Sequence, residues 1–364
     1  MEHRANIAND PDRQYRKGRG TVSNAVGRFE PQARVAFDDG WGAVEEEPPK
    51  LRTELGIDSA KTIIARNKSP DIPFDRSINP YRGCEHGCVY CFARPTHAYF
   101  GLSAGLDFET RLFYKPDAAA LLRKELSKPG YAPAVMALGT NTDPYQPVDR
   151  SVGLTRDILQ VLSDFNHPLS IVTKSDNVLR DIDILAPMAE MGLASVYLSV
   201  TTLDAHLANK LEPRASTPFK RLAAVRTLTE AGIPAGVMTA PIIPAITDWE
   251  IERLIEAAAD HGAVRAGYVL LRLPLEIKNL VEEWLDTHAP DKKDRVLSLV
   301  RQTRKGKAYD STWGKRLTGE GPYAEMIRNR FRLACKKHGL NRETFAHDCT
   351  LFSVPGRAEQ LALL

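Results

Sequence analysis

From about residue 58 onward the sequence predicts an α/β fold. Six main β/α units form a partial TIM-like barrel, with an irregular N-terminal arm before it and a helical C-terminal extension after it. Three features predict this. Short apolar runs alternate with longer stretches of helical period, the pattern of parallel strands joined by crossover helices. Glycines close most of the helical stretches. Polar clusters directly follow several apolar runs, where the strand-end loops of such a barrel carry their ligands.

The arm, residues 1–57, opens basic at Arg16, Lys17 and Arg19 and turns acidic at Glu45, Glu46 and Glu47. It has no apolar period, so at least part is expected to be mobile. The run from Arg16 to Gly20 is also a candidate phosphate-binding arm. The core, residues 58–280, holds strands expected at 62–65, 77–81, 135–138, 170–173, 195–200, 235–238 and 268–271. Helices are expected at 116–126, 155–165, 180–191, 219–231 and 248–261. Pro116 suits a first helical turn, Gly192, Gly232 and Gly262 end the last three, and Asp248 reads as an N-cap. The extension, residues 281–364, adds helices at 295–303 and 322–338, joined by a Gly- and charge-rich stretch. Cys335 lies inside the second helix and reads as a core residue.

Apolar content of 43% and charged content of 26% are ordinary for a soluble globular chain. No apolar stretch is long enough to predict a membrane span. The first twenty residues are polar and lack the apolar centre of a signal peptide. Three of the five cysteines fall between positions 84 and 91, which argues against a disulfide framework and fits a reducing, cytoplasmic compartment. The net charge of +3 is unevenly spread: residues 291–342 hold fifteen Lys or Arg against five Asp or Glu. Tyr309, Trp313, Tyr323 and Phe331 lie among them. Such a stretch can track phosphates and stack bases of DNA or RNA; it equally describes solvated helix faces over a few core aromatics.

The run Asn79-Pro-Tyr-Arg-Gly-Cys-Glu-His-Gly-Cys-Val-Tyr-Cys91 spaces its thiols C-x3-C-x2-C. Three thiolates on one loop can hold three irons of a cubane cluster, whose usual complement is four cysteines. Cys335 and Cys349 come far later, so one iron is left open for a ligand. Gly83 and Gly87 let the backbone turn tightly enough for the sulfurs to converge, and Tyr90 sets a ring beside them. Two other readings use the same thiols. One is a zinc site with His86 or a distant cysteine as fourth ligand, although zinc folds normally repeat the cysteine pair. The other is an electron-transfer cluster with a remote fourth cysteine. His86 itself reads as a solvent-facing loop residue.

This cysteine spacing, with an aromatic residue just before the third thiol, resembles the radical S-adenosylmethionine (SAM) superfamily. The resemblance implies a [4Fe–4S] cluster on Cys84, Cys88 and Cys91, with the amine and carboxylate of SAM chelating the open iron. It implies reductive cleavage of SAM to a 5′-deoxyadenosyl radical, an incomplete barrel with the cluster after its first strand, and an electron donor such as flavodoxin or ferredoxin. The string from Ser77-Ile-Asn-Pro-Tyr-Arg-Gly-Cys84 to Ala240-Pro-Ile-Ile-Pro244 resembles the spore photoproduct lyase-like (DNA repair photolyase-type) branch, over about residues 60–280. The Asn141–Asp143 turn and Leu211-Glu-Pro-Arg214 belong to that resemblance. One departure stands out: that branch carries a hydrogen-returning cysteine near the end of the second strand, and residues 139–145 contain none. In principle Tyr145 or Tyr99 can replace it, though nothing in the sequence singles either out for that role.

Within that frame the strand-end residues acquire candidate roles beside SAM. Asn141 and Asp143 can hold its amine, or simply satisfy a turn. Lys174 can neutralise its carboxylate, or snorkel to the surface. Ser199 and Thr201 alternate onto one face of the fourth strand. Arg214 can grip a carboxylate in bidentate fashion and Glu212 can accept from a ribose hydroxyl; each can instead be half of a surface ion pair. The Pro- and Ile-rich end of the fifth strand suits a dry wall. Three functions remain in view: a radical SAM enzyme acting on nucleic acid, one modifying a protein or small molecule with the extra helices as a lid, and a non-enzymatic iron–sulfur or zinc protein that binds nucleic acid or senses redox state. Replacing Cys84, Cys88 or Cys91 by alanine is expected to abolish cluster assembly, read as iron per chain after anaerobic reconstitution. Full iron retention in any of the three removes that thiol from the ligand set.

Overall fold

Each apolar run expected as a strand forms one, and the helical crossovers make the main strands parallel. The computed structural model describes residues 16–30, 51–342 and 345–356. The strands are β1 Glu54–Ile57, β2 Ile64–Arg66, β3 Arg76–Ile78, β4 Tyr81–Arg82, β5 Arg111–Tyr114, β6 Met136–Leu138, β7 Leu169–Thr173, β8 Ala194–Ser199, β9 Ala235–Ile242 and β10 Arg265–Leu270. Seven form one sheet in the order β10-β9-β8-β7-β6-β3-β2. All its neighbours run parallel except β2, which lies antiparallel on β3. This is the six-stranded partial barrel, with β2 added at one edge.

The helices are α1 Leu106–Thr110, α2 Ala118–Leu126, α3 Asp149–Val152, α4 Leu154–Asp164, α5 Ile182–Glu190, α6 Ala205–Leu211, α7 Pro218–Glu230, α8 Ile251–Asp260, α9 Ile277–His288, α10 Lys293–Gln302 and α11 Pro322–His338. In α4, Leu154, Ile158, Leu159, Val161 and Leu162 recur at helical spacing and bury one face. They join Ile78, Leu138, Ile171, Val196 and Val237 of the sheet in one core. Burying each such side chain contributes about 1.5–3 kcal/mol. A second apolar cluster joins Val89 and Tyr90 to Leu280, Trp284, Val296 and Val300, so α9 and α10 pack against the cysteine loop. Cys335 is buried in the main core, as expected.

Four details differ from the sequence reading. Glu54–Ile57, placed in the irregular arm, is a strand that pairs in parallel with β5; its rim position leaves no apolar alternation to read. The rest of the arm at 1–15 and 31–50 lies outside the described residues, and with it the expectation of mobility there. The run 77–81 breaks in two, because Pro80 has no N–H and restrains Asn79. The chain leaves the main sheet after Ile78, and Tyr81 pairs instead with Tyr114. Asp248 is not the N-cap of α8. It lies in a short 3-10 turn before it, and its carboxylate accepts from Tyr323 Oη at 2.8 Å. The boundary expected at residue 280 falls inside α9.

The extension crosses both ends of the barrel. At the mouth, Leu317 O accepts from Leu270 N at the end of β10, while Arg316 Nε and Gly314 N both reach Asp71 at 2.5 Å. This strap bridges the open seam between β10 and the β2–β3 connection. At the base, the Asn341 side chain bonds both the N–H and C=O of Ala266, imitating an added strand. The following tail meets β8 through His347 and Ser195 at 3.0 Å, and Phe352 packs on Phe165, His167 and Tyr131. Among the described residues no helix is long and apolar enough to cross a membrane.

The end of β6 shows how closely the strand ends approach each other. Gly139 has φ +90°, and a Cβ there would lie 1.9 Å from Val172 O. Gly139→Ala is therefore expected to lower unfolding free energy by more than about 1 kcal/mol, measured by urea titration. An unchanged midpoint means that the β6–β7 approach is looser than described.

Candidate active site

The cysteine loop follows β4 and sits at the C-terminal ends of the strands. Its turns need glycine: Gly83 and Gly87 have φ of +76° and +68°. A Cβ on Gly83 would meet Leu112 at 2.5 Å, and one on Gly87 would meet Glu109 at 2.8 Å. Cys84 and Cys88 are buried, Cys91 is half-buried, and all three are free thiols. Burial, then the charges of Asp143, Cys88 and Cys91, pushes the Cys84 thiol well up. Burial likewise raises Cys88 to about 12, although Lys174 pulls the other way. Thiols held this way ionise only against strong positive charge, which the irons of a cluster supply. Among the described residues no three His, Cys, Asp or Glu side chains gather as ligands of a single ion; a cluster with one thiolate per iron asks for separate sulfurs instead. The donor set fits a thiolate-held cluster with one iron left without a protein ligand.

The loop is gripped from three sides. From below, Arg94 donates to Cys88 O, Gly87 O, Ala104 O, Gly105 O and Glu109, at 2.6–3.0 Å. Glu109 also accepts from Gly20 N, Thr21 N and Thr21 Oγ1, which docks the N-terminal segment against the loop. From one flank, Val89 N bonds Leu211 O at 3.1 Å and Arg214 N bonds His86 O at 3.3 Å. From the other, Thr142 Oγ1 donates to Gly83 O and Glu85 N donates to Gln146 Oε1, both at 2.8 Å.

Asn79 explains why two sequence strings belong together. Its Oδ1 accepts from Thr140 Oγ1 and Asn141 N, while Tyr81 Oη donates to Asp149 Oδ1. The motif before the cysteines thus ties itself to the turn after β6. In that turn Asn141 is exposed. Asp143 is an anchor: it accepts from Thr173 Oγ1 at 2.6 Å, Lys174 N at 2.8 Å and Tyr145 N at 2.9 Å. His86 Nδ1 lies 3.3 Å from its Oδ2. Burial pulls Asp143 upward, but His86 and the hydrogen bonds outweigh it and hold the carboxyl at about 2. His86 is 2% exposed. The expectation of a solvent-facing histidine is corrected, because its partner comes from a distant turn.

Around Tyr90 the fourth strand and the Leu211–Arg214 segment converge. Tyr90 Oη donates to Glu212 and lies 3.1 Å from Thr201 Oγ1, which itself donates to Glu212 at 2.7 Å. Arg221 closes the network by pairing with Glu212 and donating to Ser199 O at 2.8 Å. Burial raises Glu212, yet Arg221, Lys174 and these hydrogen bonds leave it net lowered and ionised. Ser199 and Thr201 are both buried. Lys174 Nζ stands 5.8 Å over the Tyr90 ring; desolvation works against its charge, but Cys88 and Glu212 prevail and raise it. Arg214 lies apart from this group, its guanidinium 2.8 Å from Glu85.

Tyr145 is 1% exposed and lies beside Arg180, while Tyr99 is 73% exposed and stacks on Phe29. Arg94, Glu109, Gln146, Arg221 and Arg272 were not singled out from sequence. Arg272, just past β10, stacks its guanidinium 4.9 Å from the centre of the exposed Phe92 ring. Its place at a strand end was the available signal.

Residues 78–258 match the family model of the Radical SAM superfamily. An uncharacterized protein of Mycobacterium tuberculosis is 37% identical over 243 residues, 65% of this chain and 72% of its own length. Another, from Methanocaldococcus jannaschii, is 31% identical over 173 residues, 48% of this chain and 62% of its own. Among solved structures, the fold resembles a spore photoproduct lyase variant with bound AdoMet and dinucleoside spore photoproduct. The TM-score is 0.56 at 19% identity, covering 79% of this chain and 80% of that one.

Asp143 gives this site an acid dependence. Its folded value of about 2 lies below the ordinary 3.8, so its contribution is present above about pH 4 and lost as pH falls toward 2. Asp143→Asn is expected to cost about 2 kcal/mol near neutral pH, and the gap to the parent should close between pH 4 and 2 in urea titrations. A gap that is constant with pH removes the ionised carboxylate as its cause.

Proposed function

The chain belongs to the radical SAM superfamily, and on that premise we propose that Cys84, Cys88 and Cys91 hold its [4Fe–4S] cluster and that the enzyme acts on nucleic acid. The observation that carries the reading is the cysteine loop itself. It sits at the C-terminal end of the first barrel strand, clamped on three sides, with Cys84 and Cys88 buried and Cys91 half-buried. Held there, such a cluster would supply the electron for reductive cleavage of SAM.

The residues around it are assigned as follows. Lys174, charged and above Tyr90, neutralises the SAM carboxylate. Asn141, exposed at the turn, receives the amine, and Asp143 fixes that turn against β7. Tyr90 forms a flat wall held in place by Glu212 and Thr201, with Ser199 beneath through Arg221. Glu212 and Arg214 act by positioning the loop. The arm at 1–57, core at 58–280 and extension at 281–364 remain the working division, and the compartment is read as cytoplasmic.

The nucleic-acid part of the reading rests on charge and exposed rings. Tyr323 and Phe331 turn inward, Phe331 packing 4.7 Å from Tyr268. Trp313 is 59% exposed, and Phe92 with Arg272 adds a second ring near the mouth. Lys305 and Lys307 on the strap are exposed. Such a surface suits phosphates with stacked bases. A dinucleoside spore photoproduct, the ligand in the spore photoproduct lyase structure, is one candidate within that class. The second reading, a protein or small-molecule substrate under a lid, is favoured by the mooring of the strap to Asp71 through Arg316.

The test is anaerobic: reconstitute, reduce, add SAM, and assay 5′-deoxyadenosine and iron together. Product with about four irons per chain is expected; zinc, or a cluster that never cleaves SAM, overturns the reading. Lys174→Ala should weaken SAM binding about ten- to a hundredfold with iron content unchanged. Oligonucleotide binding that weakens steeply with salt supports the nucleic-acid substrate. Normal SAM cleavage without such binding favours the lid.

A further inference from the structure

The cysteine loop borders a cleft formed by the segments that follow β6, β7 and β8. This open cleft, with about 530 Å³ of empty space, is lined by His86 of the loop, by Arg150 in α3, by Asp176 after β7, and by Arg214 and Lys220 around the start of α7. None of Phe92, Arg272 or Trp313 lines it. His86 lies two residues from both Cys84 and Cys88, so their backbones are within about 8 Å of its own. The cleft is thus lined by the residue midway between two of the three cysteines.

The cleft is cationic. Arg150, Arg214 and Lys220 face a single lining carboxylate, Asp176. Glu85 partly offsets Arg214. Lys220 is 64% exposed and only 4.0 Å from Asp176. Arg150 is exposed, with no acidic partner among the described residues. Exposed cations around a cleft steer and orient an acidic macromolecule. A carrier that delivers electrons to the thiolate-held cluster has to approach the cysteine loop, and His86 of that loop lines this cleft.

We propose that this cleft is the docking site of an acidic one-electron carrier protein, with Arg150 and Lys220 as its steering charges. The proposal rests on the assignment of the cluster to Cys84, Cys88 and Cys91. In the transfer one electron leaves the reduced carrier and enters the oxidised cluster, and no bond or proton moves. Arg150 and Lys220 belong to none of the SAM contacts assigned above, so reversing their charge leaves that chemistry in place.

The probe is a flavodoxin, used against the full-length chain and its Arg150→Glu/Lys220→Glu variant. Binding of oxidised flavodoxin, followed by calorimetry at low salt, is expected to weaken about tenfold or more. The parent's affinity should fall with added salt, and the variant's should barely respond. With the reconstituted protein, 5′-deoxyadenosine formation driven by reduced flavodoxin should drop similarly, while formation driven by dithionite stays within about twofold of the parent. Unchanged flavodoxin affinity and unchanged flavodoxin-driven rate overturn the docking site. So does a variant that loses oligonucleotide binding but keeps flavodoxin, because the cleft then serves nucleic acid. If dithionite yields no product even in the parent, it is the radical reading that fails, and the calorimetric arm still decides the docking.

Discussion

The ion pair between Arg94 and Glu109, with both side chains sealed from solvent, is the interaction on which the cysteine loop depends. Taking two charges out of water is costly, and such a pair is tolerable only when every remaining donor and acceptor is used. Here they are. The guanidinium spends its donors on four carbonyls and the carboxylate, and two of those carbonyls belong to Gly87 and Cys88. The carboxylate takes three further bonds from Gly20 and Thr21. The loop's backbone is therefore part of the solvation shell of a buried charge. Loosening the loop strands the guanidinium, and loosening the N-terminal segment strands the carboxylate.

A second buried charge organises the opposite flank. Glu212 gathers Tyr90, Thr201 and Arg221, and so fixes the ring between the second and third cysteines to the end of β8. Asp143 does the same for His86, the end of β7 and the turn after β6. Strand ends that would otherwise be independent loops become one rigid frame around the thiols. Three thiolates close together repel one another, and Lys174 and Arg272 bring positive charge to the same neighbourhood.

Most of the barrel was legible because burying a parallel strand demands a short apolar run, and burying a helix face demands a period near 3.6. The pieces that escaped have little apolar content or are very short: β1 at the rim, β4 with two residues, α1 with five. Helix α9 is the exception, since Ile277, Leu280, Val281, Trp284 and Leu285 carry the period openly. At the site, the thiols and the positions after β6, β7 and β8 could be read because chemistry and strand ends coincide. Side-chain partnerships could not. Nothing local pairs Arg94 with Glu109 or His86 with Asp143, because those distances along the chain are set by the fold. The same limit explains why His86, polar and between glycine and glutamate, reads as a surface residue and is not.

The order in which the chain is made bears on how the base of the barrel closes. Ser195 waits for His347, 152 residues further on. At the pace of ribosomal synthesis that is an interval of about 8–30 s. Throughout it, the lower ends of β7 and β8 lack their final cover. The grip on the cysteine loop is likewise completed in two instalments. Gly20, Arg94 and Glu109 are available together once residue 109 has emerged, whereas Leu211, Glu212 and Arg221 arrive about a hundred residues later. A nascent chain passes through a stage in which the three thiols are presented on a loop supported from beneath and still open at its flank.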